Sequence, residues 1–189
     1  MKSYRDIQGF FDYGHLFKRF IQEIPDGGIF VECGSWLGKS SAFLCDAIEE
    51  SGKDLNLWII DSWLGSSVER GSSHALVTRK DIYQIFLENM RGRKFNHIRG
   101  LSHEVCNSFQ HGSCDVVFID MEHTYESVKE DIKDWLPKVK KGGTLAGHDY
   151  GSKRWKDGVQ KAVHETLGKE NIEVVSCGTN SCWVYKNDK

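Results

Sequence analysis

The chain carries almost no net charge: 25 Lys and Arg stand against 27 Asp and Glu, giving −2 at pH 7 over 189 residues. Without a basic field it lacks the electrostatic footprint of a nucleic-acid binder, and no nucleic-acid partner is expected. No apolar run of the signal-peptide kind follows Met1-Lys2-Ser3-Tyr4-Arg5-Asp6, and no stretch is long enough to span a bilayer. A cytoplasmic protein with no membrane partner is the expectation. The six cysteines, Cys33, Cys45, Cys106, Cys114, Cys177 and Cys182, contain no C-x-x-C pair. In a reducing cytosol they are expected as free thiols, even though Cys177 and Cys182 could face each other across a hairpin. There is no internal repeat, low-complexity tract or linker, so residues 1–189 are expected to form one domain, with 1–27 as a helical extension. Six tryptophans and ten phenylalanines are a generous aromatic supply for a core or a substrate pocket.

The organising stretch is Ile29-Phe30-Val31-Glu32-Cys33-Gly34-Ser35-Trp36-Leu37-Gly38-Lys39-Ser40-Ser41. An apolar run ends in an acid, a glycine turn follows, and a helix opens. Open α/β sheets build ligand sites in this way at the carboxyl ends of their strands. Gly34 and Gly38 permit backbone conformations and close ligand approach that a Cβ would hinder. Three ligands compete for the turn. A phosphate-binding P-loop would need its first glycine at position 33, which is Cys33, and Glu32 would sit beside the phosphate. A dinucleotide would need G-x-G-x-x-G, which is absent. S-adenosylmethionine carries an ammonium and a sulfonium and no phosphate, so an acid at the strand end suits it.

Along the chain, Tyr13, Leu16, Phe17, Phe20, Ile21 and Ile24 make one apolar helical face, stopped by Pro25-Asp26-Gly27-Gly28. A strand over Gly28–Cys33 leads to a helix from Gly38 to Glu50, then a second strand over Leu55–Ile60 ends at Asp61. Residues Ser62–His74 form the longest structureless stretch and a candidate lid. A helix through Ile82, Ile85, Phe86 and Met90 precedes a weak strand at Phe95–Gly100 and a short helix over Ser102–Phe109. A strong strand, Cys114–Asp120, is followed by a helix through Val128, Ile132, Trp135 and Leu136, and a strand at Thr144–Gly147. Trp155, Val159, Val163 and Leu167 stripe the last helix, and Ile172–Ser176 with Cys182–Tyr185 closes the chain as a hairpin. Strands alternating with helices imply a mainly parallel sheet with one antiparallel strand.

Glu32, Asp61 and Asp120 end three of these strands, and His148-Asp149 follows a fourth. Parallel strands place such residues on one edge of the sheet, however far apart they lie in sequence. Asp61 falls 23 residues past Gly38, close to the ~20-residue offset at which an acid meets ribose hydroxyls. Asp120, His148 and Asp149 can together form a divalent metal site with open positions for substrate oxygens. His123, at the start of the next helix, could act as a base. Trp63, Tyr125, Tyr150 and Trp155 are candidate pocket aromatics.

The segments VECGSWLGKSS, LWIIDSWLGS, SCDVVFIDMEHTYESVKEDIKDWLPKVKKGG and TLAGHDY, in this order, resemble class I S-adenosylmethionine-dependent methyltransferases. The branch they resemble contains relatives of macrocin O-methyltransferase and cephalosporin hydroxylase. The resemblance spans Phe30 to Val163 and is most specific in IDxxHxY…GHDY. It implies a Rossmann-like, mainly parallel seven-stranded sheet with a terminal antiparallel hairpin and helices on both faces. It also implies that Glu32, Gly34 and Ser35 lie near the methionine part of the cofactor and Asp61 on its ribose. Trp63, Leu101 and Ser102 would then lie near the adenine, with Gly38, Ser40, Ser62 and Asp120 completing the cofactor contacts. In this branch Mg²⁺ is often held at positions matching Asp120, His148 and Asp149, with Mn²⁺ as the substitute. His148 departs from the pattern, because metal-dependent relatives more often place an acid there. Metal assistance and a histidine base therefore both stand open.

The implied activity is O-methylation of a small hydroxylated molecule or a sugar hydroxyl. A protein that binds the cofactor without turnover and a P-loop-like hydrolase are the competing classes. A homo-oligomer in which subunits exchange the N-terminal helix is compatible with the sequence.

Overall fold

The computed structural model describes residues 1–65, 82–152 and 157–188. Seven strands form one sheet: β1 (Ile29–Cys33), β2 (Asn56–Asp61), β3 (Asn96–Arg99), β4 (Cys114–Ile119), β5 (Val139–Gly147), β6 (Ile172–Cys177) and β7 (Asn180–Lys186). Their spatial order is β3-β2-β1-β4-β5-β7-β6. The pairs from β3 through β5 are parallel, and β7 runs antiparallel to both its neighbours. The chain winds outward from β1 to β3, then returns to place β4 on the other side of β1. That reversal opens a crevice at the carboxyl ends of β1 and β4.

Side chains alternate across each strand and so supply two cores. Phe30, Ile59 and Phe118 pack on one face with α1 (Gly14–Glu23), α2 (Lys39–Ser51) and α3 (Ile82–Asn89). Val31, Val117 and Leu145 pack on the other face with α4 (Ser102–Val105), α5 (Tyr125–Trp135) and α6 (Gly158–Leu167). The expected Rossmann-like sheet with helices on both faces is therefore present. Helix α1 buries Leu16, Phe17, Phe20 and Ile21. Its Phe17 ring meets Phe30 and Phe118 edge-on at 5.4 and 4.9 Å. No helix among the described residues is long and apolar enough to cross a membrane.

Several boundaries differ from the expectation. Strand β5 begins at Val139 rather than Thr144. The glycine pair is absorbed within the strand: Gly142 takes φ 77° and the pairing shifts register between Cys114 and Val116. The helix expected over Ser102–Phe109 is four α-helical residues followed by a 3₁₀ turn at Cys106–Ser108. The last helix starts at Gly158, and Trp155 lies outside the described residues, as does the candidate lid beyond residue 65. All six cysteines are free and buried, with Cys177 and Cys182 Sγ 3.2 Å apart across the terminal hairpin.

At the central crevice β1 and β4 run so close that the Asp120 N–H bonds the Cys33 carbonyl at 2.7 Å. A Cβ at Gly34, whose φ is 95°, would lie 1.9 Å from the Asp120 carbonyl oxygen. Both conformation and space thus demand glycine. Gly34→Ala is expected to cost about 3 kcal/mol or more in urea unfolding, since strain and a backbone clash add.

Candidate active site

A cavity of about 610 Å³ lies where the carboxyl ends of β1, β2, β4 and β5 meet. One wall is the glycine turn with Gly34, Ser35, Trp36 and Ser40, and beside it stand Asp61, Ser62 and Trp63. The opposite wall carries Asp120, His123, His148 and Asp149. Residues 8–13, ahead of α1, and the hairpin residues Thr179 and Asn180 complete the rim.

The glycine turn is held in shape by Asp61. Its Oδ2 accepts the Ser35 and Trp36 N–H groups at 2.9 and 2.8 Å, and its Oδ1 accepts the Trp63 N–H at 2.7 Å. The Trp63 indole N–H in turn donates to the Trp36 carbonyl at 3.0 Å. Trp36 and Trp63 both adopt left-handed backbone, with φ 47° and 49°, a strained conformation for a bulky residue that these bonds stabilise. Burial raises the Asp61 pKa, while the backbone donors pull it down. Most of the carboxylate's acceptor capacity is therefore committed to the chain itself.

Glu32 is fully buried and points from β1 to the first turn of α2, where the Ser41 hydroxyl donates to it. Burial pushes it up to about 7, against the opposing Ser40 and Ser41 hydrogen bonds. Its Oε1 and the Ser35 Oγ are buried without a hydrogen-bond partner. Of the two, Ser35 lines the cavity, and an unsatisfied buried polar atom at a cavity wall is what a polar ligand would complete.

On the opposite wall His123 bridges two acids. Its Nε2 lies 2.8 Å from Asp149 Oδ2 and 3.4 Å from Asp120 Oδ1. His148 Nδ1 is 3.3 Å from Asp149 Oδ2, and its Nε2 is 3.3 Å from Asp12 Oδ1. Burial disfavours both imidazolium ions, yet the carboxylates win: His123 is pushed up to about 10 and His148 to about 9. Burial likewise opposes Asp149 ionisation, but the two imidazoles hold it well below the usual carboxylate range. Tyr13 donates its hydroxyl to Asp120 Oδ2 at 3.0 Å. Burial and the Asp120 charge raise its pKa, so that proton stays on.

One ligand atom each from Asp120, His123 and Asp149 lies within 4.8 Å of the others, a spacing able to hold a cation. The sequence expectation placed His148 in this set and His123 outside it as a base. The geometry brings His123 to the centre, because the first turn after β4 folds back over Asp120, and leaves His148 at the flank.

Several residues expected at the cofactor or in the pocket do not line this cavity. Ser102 is buried on the far face, where its Oγ accepts the Trp135 indole N–H at 2.7 Å, and Leu101 is exposed away from the cavity. Gly38 is the left-handed cap of α2, packed toward Phe86 and Met90, and neither it nor Glu32 lines the cavity. Tyr125 pairs with Glu165, and Tyr150 bonds His164 at 2.6 Å, so neither is a pocket aromatic. Trp63 does line it, with its ring packed 4.6 Å from Phe86. The residues the sequence did not single out are Lys39, Tyr13 and Asn180. Lys39 alone carried a signal, as the first residue of a helix that opens on the turn.

A family model described as "Methyltransferase domain" matches residues 31–150. A curated protein, "Uncharacterized protein y4gI" of Sinorhizobium fredii, is 26% identical over 63% of this chain; the chain spans only 13% of that relative's length. Among solved structures, the O-methyltransferase NovP superposes with TM-score 0.67 at 17% identity, covering 94% of this chain and 80% of NovP. CalS11, described as a TDP-rhamnose 3'-O-methyltransferase of calicheamicin biosynthesis, gives TM-score 0.60 at 14% identity, covering 92% of this chain and 76% of that one. At these identities the likeness to the solved structures is one of fold.

Two outcomes follow from the geometry. Asp61→Ala orphans buried N–H groups of the turn and is expected to lower stability by about 1–3 kcal/mol in urea unfolding, the cost of an unsatisfied buried donor. Stability of the metal-free protein should also fall as pH rises. His123 and His148 bind protons more tightly folded than unfolded, so their contribution is full below pH ~6.5 and is lost by about pH 9–10. Differential scanning calorimetry across that window should show a falling Tm, about 2–4 °C for each kcal/mol withdrawn. Asp149→Asn should flatten the slope.

Proposed function

This chain belongs to the methyltransferase-domain family, and from that premise we propose that it is an S-adenosylmethionine-dependent O-methyltransferase acting on a small-molecule or sugar hydroxyl with the help of a divalent cation. The observation that carries the reading is the convergence of Asp120, His123 and Asp149 across one cavity from the glycine turn. The sugar alternative draws on CalS11, which is described as a TDP-rhamnose methyltransferase.

The residues fit the cofactor in kind. S-adenosylmethionine supplies the methyl group when bound, from a sulfonium whose amino-acid end carries an ammonium and a carboxylate. Ser35 Oγ, which lacks a partner and lies on the cavity wall, is an acceptor within the turn itself, with Glu32 Oε1 buried behind it. Lys39, at the start of α2 on the cavity wall, offers a positive charge beside the helix N-terminus for a carboxylate. Trp36 and Trp63 give that wall its apolar surface.

The second wall fits a cation in kind as well. Two carboxylates and an imidazole suit Mn²⁺ or Fe²⁺ at least as well as Mg²⁺, which prefers oxygen throughout. A cation there would lower the pKa of a substrate hydroxyl. The chain's own groups argue against the competing histidine base. With His123 at about 10 and His148 at about 9, both imidazoles hold their protons at neutral pH, and a base must first be free of its proton.

EDTA is expected to lower methyl transfer by roughly 10²–10⁴-fold, the usual worth of assisted deprotonation. S-adenosylmethionine affinity measured by calorimetry should be retained, and added Mn²⁺ or Mg²⁺ should restore turnover. Full activity after chelation, rising with pH toward about 9, would instead assign the proton to His148.

A further inference from the structure

Both acids of the cluster have one oxygen occupied by a donor from an end of the chain. The Tyr13 hydroxyl, just ahead of α1, donates to Asp120 Oδ2 at 3.0 Å. The Asn180 Nδ2, at the start of β7, donates to Asp149 Oδ1 at 2.6 Å. The two remaining oxygens, Asp120 Oδ1 and Asp149 Oδ2, are the pair that faces His123 Nε2. We infer that Tyr13 and Asn180 are positioning residues that restrict Asp120 and Asp149 to one ligating oxygen each. The inference rests on the cation reading above and adds to it the residues that set the coordination mode.

Neither donor is free to turn away. Tyr13 is only 2% exposed, and its ring is wedged 4.8 Å from Phe118 and 4.9 Å from His148. The Asn180 side-chain oxygen is committed to the Ser181 N–H at 2.8 Å, so its amino group has to face Asp149. Swinging both oxygens of such a carboxylate onto one ion distorts a partly buried hydrogen bond, because one oxygen must then be shared between donor and ion. Bidentate carboxylates suit Ca²⁺, which takes 6–8 oxygens in flexible geometry. Single oxygens suit the smaller ions, which keep near-octahedral sites and open positions. The two donors thereby select against Ca²⁺ and leave coordination positions for substrate.

The test measures ion binding rather than turnover. Mn²⁺ binding is followed by electron paramagnetic resonance, and Mg²⁺ and Ca²⁺ by competition against it. The proteins are the full chain, Tyr13→Phe, Asn180→Ala, and Phe17→Leu as a packing control, since Phe17 lies 5.1 Å from the Tyr13 ring. Tyr13→Phe and Asn180→Ala should each weaken Mn²⁺ and Mg²⁺ binding by roughly tenfold or more, the usual effect of losing an outer hydrogen bond on a metal ligand. Ca²⁺ binding should change much less, so the ratio moves toward Ca²⁺. Phe17→Leu should lower Tm while leaving the ratio in place. An unchanged ratio in both donor variants, or an equal shift in Phe17→Leu, overturns the inference while the cation reading stands. Absence of any Mn²⁺ binding to the unaltered chain overturns both.

Discussion

The close approach of β1 and β4 is the constraint on which the rest of the site depends. With Cys33 registered against Ile119 and Asp120 bonded back to Cys33, the glycine turn and the acid that follows β4 occupy adjacent positions. Only a residue without a Cβ fits at Gly34, whose neighbour is the Asp120 backbone itself. A sheet that wound in one direction would leave these two segments on separate edges. The reversal of winding at β1 makes them the two walls of one cavity.

Each wall is then held by a different force. The glycine turn is held by hydrogen bonds, with Asp61 gathering three backbone N–H groups from the turn and from Trp63. The opposite wall is held by charge. His123 and His148 stand among Asp12, Asp120 and Asp149, and burial alone would discharge such groups. The two imidazoles keep their protons against burial because carboxylates stand beside them. A cation entering this wall therefore competes with protons already there. The same groups that stabilise the empty wall thus tune its affinity for an ion.

The fold was largely legible in the chain, because hydrophobic period reports which face of an element is covered. Phe30 and Phe118 against Val31 and Val117 split between the two cores as alternation requires. The readings that failed did so where a local rule met a tertiary partner. The sequence pattern starts the fifth strand only at Thr144, yet pairing with β4 carries β5 from Val139 through Gly142-Gly143 by a shift in register. The resemblance implies that Ser102 lies near the adenine, but Ser102 does not line the cavity. Its hydroxyl is instead taken by the Trp135 indole, 33 residues on.

The sequence by itself determined which strands end in acids, that a glycine turn follows the first, and that α and β alternate. These are local patterns of period and conformation, readable one segment at a time. Tertiary structure decided which of the acids meet and which imidazole joins them. Sequence favours His148, which adjoins Asp149, and only the path of the chain after β4 puts His123 between Asp120 and Asp149. Tyr13 and Asn180 reach these acids from 107 and 31 residues away. No spacing rule spans such distances, because contact there depends on how the N-terminal helix and the terminal hairpin pack around the sheet.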